Sequence, residues 1–220
     1  MAWWGSVLHG LLFFLPAYVA NMSPVLVAKL LPAWNAPIDG GRLAKDGKRL
    51  LGAGKTWRGL TGGAVTGAAT AVAVAWLVPA YTAGGVWDGW DYGLGGFDGR
   101  PIGSEGGTRA VDQSAWWAIA LFGALLGLFA LVGDAVKSYF KRRVGKDRGR
   151  PWVPFDQLDF VVFGLAAAFA AGPLLLADGW LLAALLDDWI VLATIVLLTP
   201  GLHFLVNVIG YVLRLKDVPW

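Results

Sequence analysis

The stretch "GDAVKSYFKRRVGKDRGRPWVPFDQLDF", residues 133 to 160 of the 220-residue chain, holds its densest set of ionisable side chains. Asp134, Lys137, Ser138 and Lys141 are spaced i, i+3, i+4 and i+7, so a continuous helix carries all four on one face. Asp134 follows a long apolar run, which places a carboxylate at the edge of the hydrocarbon, where it is costly and usually marks a functional site. Asp156 and Asp159 come after Pro151 and Pro154 with i, i+3 spacing, on one side of a helix entrance. Three carboxylates amid lysines and arginines are the pattern of a Mg²⁺ site inside a polyphosphate pocket. Magnesium takes oxygen ligands, usually one or two carboxylates plus phosphate oxygens. Lys and Arg hold the remaining phosphate charge. Plainer roles stay open for the same residues. Asp134 can pair with Lys137 or Ser138 along the helix. Asp156 can be an N-cap and Asp159 a first-turn residue favoured by the helix dipole. A basic face alone needs only anionic lipid.

A second basic element, "LLGAGKTWRG" at residues 50 to 59, contains Gly54-Lys55-Thr56, the ending of a nucleotide-hydrolase phosphate loop. That loop requires G-x-x-x-x-G-K-[ST] between a strand and a soluble helix. Arg49 stands where the first glycine is needed, a basic loop precedes, and an apolar helix follows. The stretch is not a P-loop. Lys55 and the free backbone N–H groups at a helix N-terminus still make a place for an anion. A border cluster of snorkelling Lys55 with Trp57 and Arg58 is the ligand-free alternative.

The elements that must position these residues are membrane-like. The chain is 57% hydrophobic and 15% charged, whereas a soluble domain carries about 25% charged residues. Trp3–Ala20, Leu60–Val78, Ala115–Val132, Phe160–Ala177 and Trp189–Leu213 are each close to or above the ~18–20 residues that cross a bilayer as helix. They predict an all-α integral membrane protein with five transmembrane helices. A signal peptide is the competing reading of the first block, but no basic segment precedes it and no small-residue cleavage pattern follows. The absence of cysteine excludes disulfides and thiolate-metal sites.

Charge sorts the connections. Lys29, Arg42, Lys45, Lys48, Arg49, Lys55 and Arg58 lie in or beside the first loop. Lys137, Lys141, Arg142, Arg143, Lys146, Arg148 and Arg150 lie in the third, and Arg214 and Lys216 in the tail. The positive-inside rule then makes loops one and three and the C-terminus cytoplasmic, with the N-terminus outside. A single membrane-embedded domain, 1–220, is expected. It has cytoplasmic loop 1 at 32–58, an outer Gly/Asp-rich loop at 80–113 and cytoplasmic loop 2 at 134–158. Asp134 ends span three on the side where Asp156 and Asp159 open span four, so the three can meet. Trp3, Trp4, Trp57, Trp76, Trp116, Trp117, Trp152 and Trp189 sit near span ends, as interfacial anchors do.

Pro16 and Pro24 flank Asn21 and Ser23 at the inner end of span one. This predicts either a kinked helix lining a cavity or a helix end followed by a short interfacial helix. The piece Trp180–Leu186 is too short to span and is expected along the outer interface. His9 and His203 read as intramembrane hydrogen-bonding residues rather than metal ligands.

At "PAYVANMSPVLVAKLLP", "DGKRLLGAGKTWRGLTGG" and "GDAVKSYFKRRVGKDRGRPWVPFDQLDF" the chain resembles the archaeal CDP-archaeol synthases, relatives of the CDP-diacylglycerol synthases. The resemblance runs over nearly the whole length. It implies a plasma-membrane enzyme of phospholipid biosynthesis. Such an enzyme joins CTP to an unsaturated isoprenoid ether-lipid phosphate, 2,3-bis-O-(geranylgeranyl)-glycerol 1-phosphate, releases pyrophosphate and requires Mg²⁺. Ser138, Lys141 and Arg142, followed by Asp156 and Asp159, are similar to the broader CDP-diacylglycerol synthase signature. The chain lacks that signature's His-Gly-Gly element and carries Gln157 where the bacterial-type motif has Arg, so it follows the archaeal branch.

On this resemblance Asp134, Asp156 and Asp159 are expected to hold one or two Mg²⁺ bridging the CTP phosphates. Lys55, Lys137, Lys141 and Arg142 are expected to hold the triphosphate and the leaving pyrophosphate. Asn21, Ser23, Thr56 and Trp57 are candidates for reading cytosine and ribose. No nucleic acid is implied as a partner, and the oligomeric state is open. The alternative is a small transporter or channel with a cytoplasmic phosphate- or Mg²⁺-binding gate. A CDP-alcohol phosphotransferase is set aside because its D-G-x2-A-R…G-x3-D-x3-D motif is absent.

Overall fold

The computed structural model describes residues 3–82, 116–146, 150–175 and 188–215. Most of the outer-loop expectation, the Trp180–Leu186 piece and Lys216 lie outside the described residues. Among the described residues the protein is helical, without strands: α1 (Trp3–Leu30), α2 (Trp57–Thr82), α3 (Trp116–Arg143), α4 (Phe155–Leu175) and α5 (Trp189–Val212). Each is long and apolar enough to cross a membrane. Four of them begin on a tryptophan, and Trp3, Trp76, Trp117 and Trp189 are exposed on the outer surface of the bundle. That surface suits lipid, because an aromatic ring with a polar edge settles at the headgroup level.

α1 is one helix through both prolines, so its inner end is not followed by a separate interfacial helix. Proline offers no N–H to the carbonyl four residues back, so Pro24 leaves the Ala20 carbonyl unmatched. The Ser23 hydroxyl donates to that carbonyl at 2.9 Å and repairs the ladder. At the other end of the bundle the Asp188 carboxylate caps α5 by accepting from the Ile190 N–H.

α3 packs against α2 and α4, while α1 contacts the other four helices. The α2–α3 contact is set by glycine. A Cβ on Gly67 would collide with the backbone oxygen of Gly123, and one on Gly123 with the Gly67 oxygen and the Ala71 side chain. Without an apolar-to-water gradient between helices in lipid, such close backbone approach is what holds them together. Phe13, Phe14, Phe122 and Phe160 fill the interior, all nearly inaccessible, with Phe14, Tyr18 and Phe160 in mutual ring contact. The Tyr18 hydroxyl meets Thr199 Oγ1 at 2.8 Å. His203 lies against Phe160 and within 3.2 Å of the Asn207 side chain, so it is engaged with helix neighbours.

The direction of the chain follows from the contacts. Gly10 faces Val191 and Thr194 while Tyr18 faces Thr199, so α1 and α5 run parallel. The 31–56 connection touches the C-terminal end of α3, and that end touches the start of α4. The ends of α1, α3 and α5 therefore lie together with the starts of α2 and α4. α3 remains helical through Arg143, so its polar last turns project past the apolar part of the bundle and carry their side chains on a helical face.

The glycine contact is testable with an internal control. Gly67→Val should lower the thermal midpoint in detergent by an amount equivalent to about 1–3 kcal/mol, the usual cost of overpacking. Gly201→Ala, where a Cβ meets nothing within 4 Å, should leave it unchanged. Equal midpoints for Gly67→Val and the parent would show that α2 and α3 do not meet this closely.

Candidate active site

The polar end of the bundle is built around α3. Gly133 permits it: a Cβ there would stand 2.6 Å from the Asp159 carbonyl oxygen and 3.0 Å from Phe163 Cβ. The bare backbone lets α3 and α4 close at this level, and the next residue, Asp134, arrives beside Asp159. One and two turns further along α3 come Lys137 and Lys141, on the face that looks toward α4.

These residues form one ion-pair cluster. Lys137 Nζ lies 2.9 Å from Asp134 Oδ1, 3.2 Å from Asp156 Oδ1 and 2.9 Å from Asp159 Oδ2. Asp134 also pairs with Lys55. Lys141 Nζ donates to both oxygens of Asp156, at 3.0 and 2.9 Å, and the Trp152 N–H donates to Asp156 Oδ2 at 2.6 Å. The pairs run from Lys55 through Asp134, Lys137 and Asp156 to Lys141, with Asp159 at the centre. The side chains are mostly covered, Lys137 being 14% and Asp159 6% exposed. Both Asp159 carboxylate oxygens are buried and neither makes a well-aligned hydrogen bond among the described residues, although Lys137 Nζ lies 2.9 Å from Oδ2. Among the described residues no three carboxylate or imidazole groups are gathered into a ready-made metal cage. The aspartates surround an ammonium.

The helix pairing of Asp134 with Lys137, read from spacing, is present. It coexists with the convergence on Asp156 and Asp159, which spacing along one helix could not disclose. Lys55, Lys137 and Lys141 join the cluster, whereas Arg142 turns away and donates to the Lys146 carbonyl, closing the turn after α3. Thr56 is buried and its hydroxyl accepts from the Gly59 N–H, the geometry of an N-cap for α2. Ser23 is likewise committed to its own helix. Trp57 is half-exposed at the start of α2, and Asn21 is partly buried on α1.

The loop that carries Lys55 has an organiser that the sequence reading passed over. Asp39 is buried. It accepts from the Gly41 N–H at 2.9 Å, the Leu51 N–H at 3.0 Å and Arg49 Nη2 at 3.0 Å. Burial works against its charge, but these donors outweigh burial and hold its carboxyl below the usual aspartate value. The signal was present as Asp39-Gly40-Gly41, an Asx turn followed by positive-φ glycines. The Ile38 N–H to Lys55 carbonyl bond and the Trp57 N–H to Ala36 carbonyl bond close the loop at its base. Ser138 Oγ of α3 then accepts from the Gly52 N–H at 3.0 Å, and Arg143 reaches Asp46 and the Arg49 carbonyl. The loop is thereby clipped to α3, with Lys55 delivered to Asp134. On the other flank Arg58 donates to the Leu31 and Pro32 carbonyls at the end of α1.

Comparison with known proteins places this arrangement in context. The family model described as CDP-archaeol synthase matches residues 5–86 and 105–220, and that of the cytidylyltransferase family matches residues 51–152. A CDP-archaeol synthase of Halobacterium salinarum is 38% identical over 216 residues, covering 98% of each chain. One from Methanopyrus kandleri is 37% identical over 217 residues, covering 99% of this chain and 95% of its own. A solved structure, described as an intramembrane enzyme for archaeal membrane lipids biosynthesis, shares 30% identity with a TM-score of 0.52. That likeness covers 83% of this chain and 92% of the other.

The Asp39 hub has a defined pH behaviour. Because its folded value is lowered, its contribution to loop order is complete above the ordinary aspartate pKa of about 3.9 and is lost as pH falls through the lowered value. Protection of the Leu51 amide against hydrogen exchange, corrected for the intrinsic rate, should stay level between about pH 5 and 7. At neutral pH, Asp39→Ala should reduce it at least tenfold. Unchanged protection in the variant would remove Asp39 from this role.

Proposed function

The chain belongs to the CDP-archaeol synthase family and is a CTP-dependent cytidylyltransferase acting on an archaeal lipid, and we propose from this premise how its polar cluster performs the transfer. The acceptor is an unsaturated ether-lipid phosphate, 2,3-bis-O-(geranylgeranyl)-glycerol 1-phosphate. The products are the CDP-lipid and pyrophosphate, and the reaction depends on Mg²⁺. The observation that carries the reading is the convergence of Asp134, Asp156 and Asp159 with Lys55, Lys137 and Lys141 at one end of the bundle. Family membership as an enzyme sets the transporter alternative aside.

An oxygen of the lipid phosphate forms a bond to the α-phosphorus of CTP while the bond from that phosphorus to the bridging oxygen of the β-phosphate breaks. The electron pair leaves on pyrophosphate. The lipid phosphate is already mostly ionised at neutral pH, so no protein nucleophile or strong base is needed. The work left to the protein is alignment and charge neutralisation. Lys55, Lys137 and Lys141 hold triphosphate oxygens and then the leaving pyrophosphate. Arg142 supports the turn beside them. Trp57 and Asn21 are the candidates for contact with cytosine and ribose. Ser23 and Thr56 shape the local helices through hydroxyls already engaged.

The donor set fits a hard dication. All three acidic groups are carboxylates, and the two buried oxygens of Asp159 make no well-aligned hydrogen bond among the described residues. Asp134, Asp156 and Asp159 would hold Mg²⁺, which when bound neutralises the phosphate charge that builds up during transfer. The clustering of Lys and Arg on the connections at this end supports a cytoplasmic orientation in the plasma membrane. Residues 32–58 and 134–158 then form the cytoplasmic face.

Purified protein with labelled CTP, the lipid phosphate and Mg²⁺ should yield the CDP-lipid and pyrophosphate, with none formed in excess EDTA. Asp134→Asn should lose at least about a hundredfold in kcat/KM, since even changes behind a metal ligand cost about 10–100-fold. Full activity of Asp134→Asn, or CDP-lipid formation in EDTA, would contradict the reading.

A further inference from the structure

Three carboxylates from two helices share a single ammonium, that of Lys137. We propose, resting on the metal and nucleotide reading above, that Lys137 is an internal cation closing the carboxylate cluster to bare divalent ions. Metal then enters only together with the nucleoside triphosphate, through an exchange of ion-pair partners.

The charges dictate this. Asp134, Asp156 and Asp159 carry three negative charges, and Lys55, Lys137 and Lys141 carry three positive ones, so the cluster sums to zero. A bare dication would have to take the carboxylates away from Lys137 and its neighbours. Their ammonium groups would be left unpaired in a largely covered site, and breaking a buried pair without a replacement is strongly unfavourable. A metal–triphosphate complex brings both halves of the exchange. The dication takes the carboxylates, and the phosphate oxygens take the released lysines. Each carboxylate and each ammonium of the cluster then keeps a counter-charge.

A second observation points the same way. Lys137 does not satisfy the site it fills. The Asp159 side chain is 6% exposed, and neither of its buried oxygens has a well-aligned hydrogen bond among the described residues, even with Lys137 Nζ at 2.9 Å. An ammonium has three donors, and three carboxylates present more acceptor sites than that. An oxygen-seeking dication would take acceptor sites that the ammonium leaves over. The four-carbon stem of lysine lets the ammonium swing away without moving α3. A purely structural ion pair would instead make Lys137 a residue whose loss lowers stability and does nothing for metal affinity.

The test is Mn²⁺ binding to the full-length protein in detergent, read from the electron paramagnetic resonance signal of free Mn²⁺. It is run with and without a CTP analogue carrying a methylene bridge between the α- and β-phosphorus. Wild-type protein should bind Mn²⁺ at least tenfold more weakly without the analogue. Lys137→Met should tighten analogue-free binding at least tenfold. Lys137→Gln serves as a second variant, and thermal midpoints of the wild type give an independent reading. Mn²⁺ alone should leave the midpoint in place, and Mn²⁺ with the analogue should raise it. Wild-type binding of Mn²⁺ that is equally tight in both arms overturns the proposal, as does a neutral variant no tighter than wild type. Neither result touches the metal assignment itself. Binding of the analogue with no Mn²⁺ bound in any arm overturns the metal assignment and the proposal together.

Discussion

The contact on which the site depends is the shared ion pair of Lys137 with carboxylates from α3 and α4. It is possible only because Gly133 lets the two helices touch at backbone level, so that Asp134 and Asp159 come to the same ammonium. Charges this covered are expensive to desolvate and persist only when paired. The pairing therefore locks the end of α3 to the start of α4, and it holds together groups that would otherwise repel. Lys55 extends the lock to the connection between α1 and α2. One electrostatic constraint thus joins three parts of the chain that are far apart in sequence.

The rest of the bundle keeps this polar end supported while its other surfaces face lipid. Backbone groups inside a membrane must be satisfied within the protein, and α1 does so at Pro24 by spending the Ser23 hydroxyl on the Ala20 carbonyl. The small residues of α2 and α3 bring their backbones together. The aromatic core fixes α1 against α4 and, through Tyr18 and Thr199, against α5. The 31–56 connection, with no apolar core of its own, is organised by Asp39 and clipped to α3 through Ser138 and Arg143. Its shape fixes where Lys55 points, so the loop is part of the site.

The five helices were legible because length and apolarity suffice to define a membrane span, and the tryptophans mark the borders. The acidic residues were legible too, since a carboxylate at the end of an apolar run has few reasons to be there. Other features were hidden for a physical reason. Spacing ties Lys137 to Asp134 on the same helix, but its distances to Asp156 and Asp159 depend on how closely α3 and α4 approach. Asp39 draws its donors from Gly41, Arg49 and Leu51, which meet only when the loop is folded. The hydroxyls of Ser23 and Thr56 look available in a sequence and are consumed locally by a proline's missing N–H and by a helix start.

On the arrival of the nucleotide, carboxylates and lysines are proposed to exchange partners. The most direct measurement is an experimental structure of the protein with Mg²⁺ and the methylene-bridged CTP analogue. The expected result is metal at about 2.0–2.1 Å from aspartate oxygens of the cluster, with Lys137 turned onto the triphosphate beside Lys55 and Lys141. A nucleotide bound elsewhere, with Lys137 still seated among Asp134, Asp156 and Asp159, would contradict it.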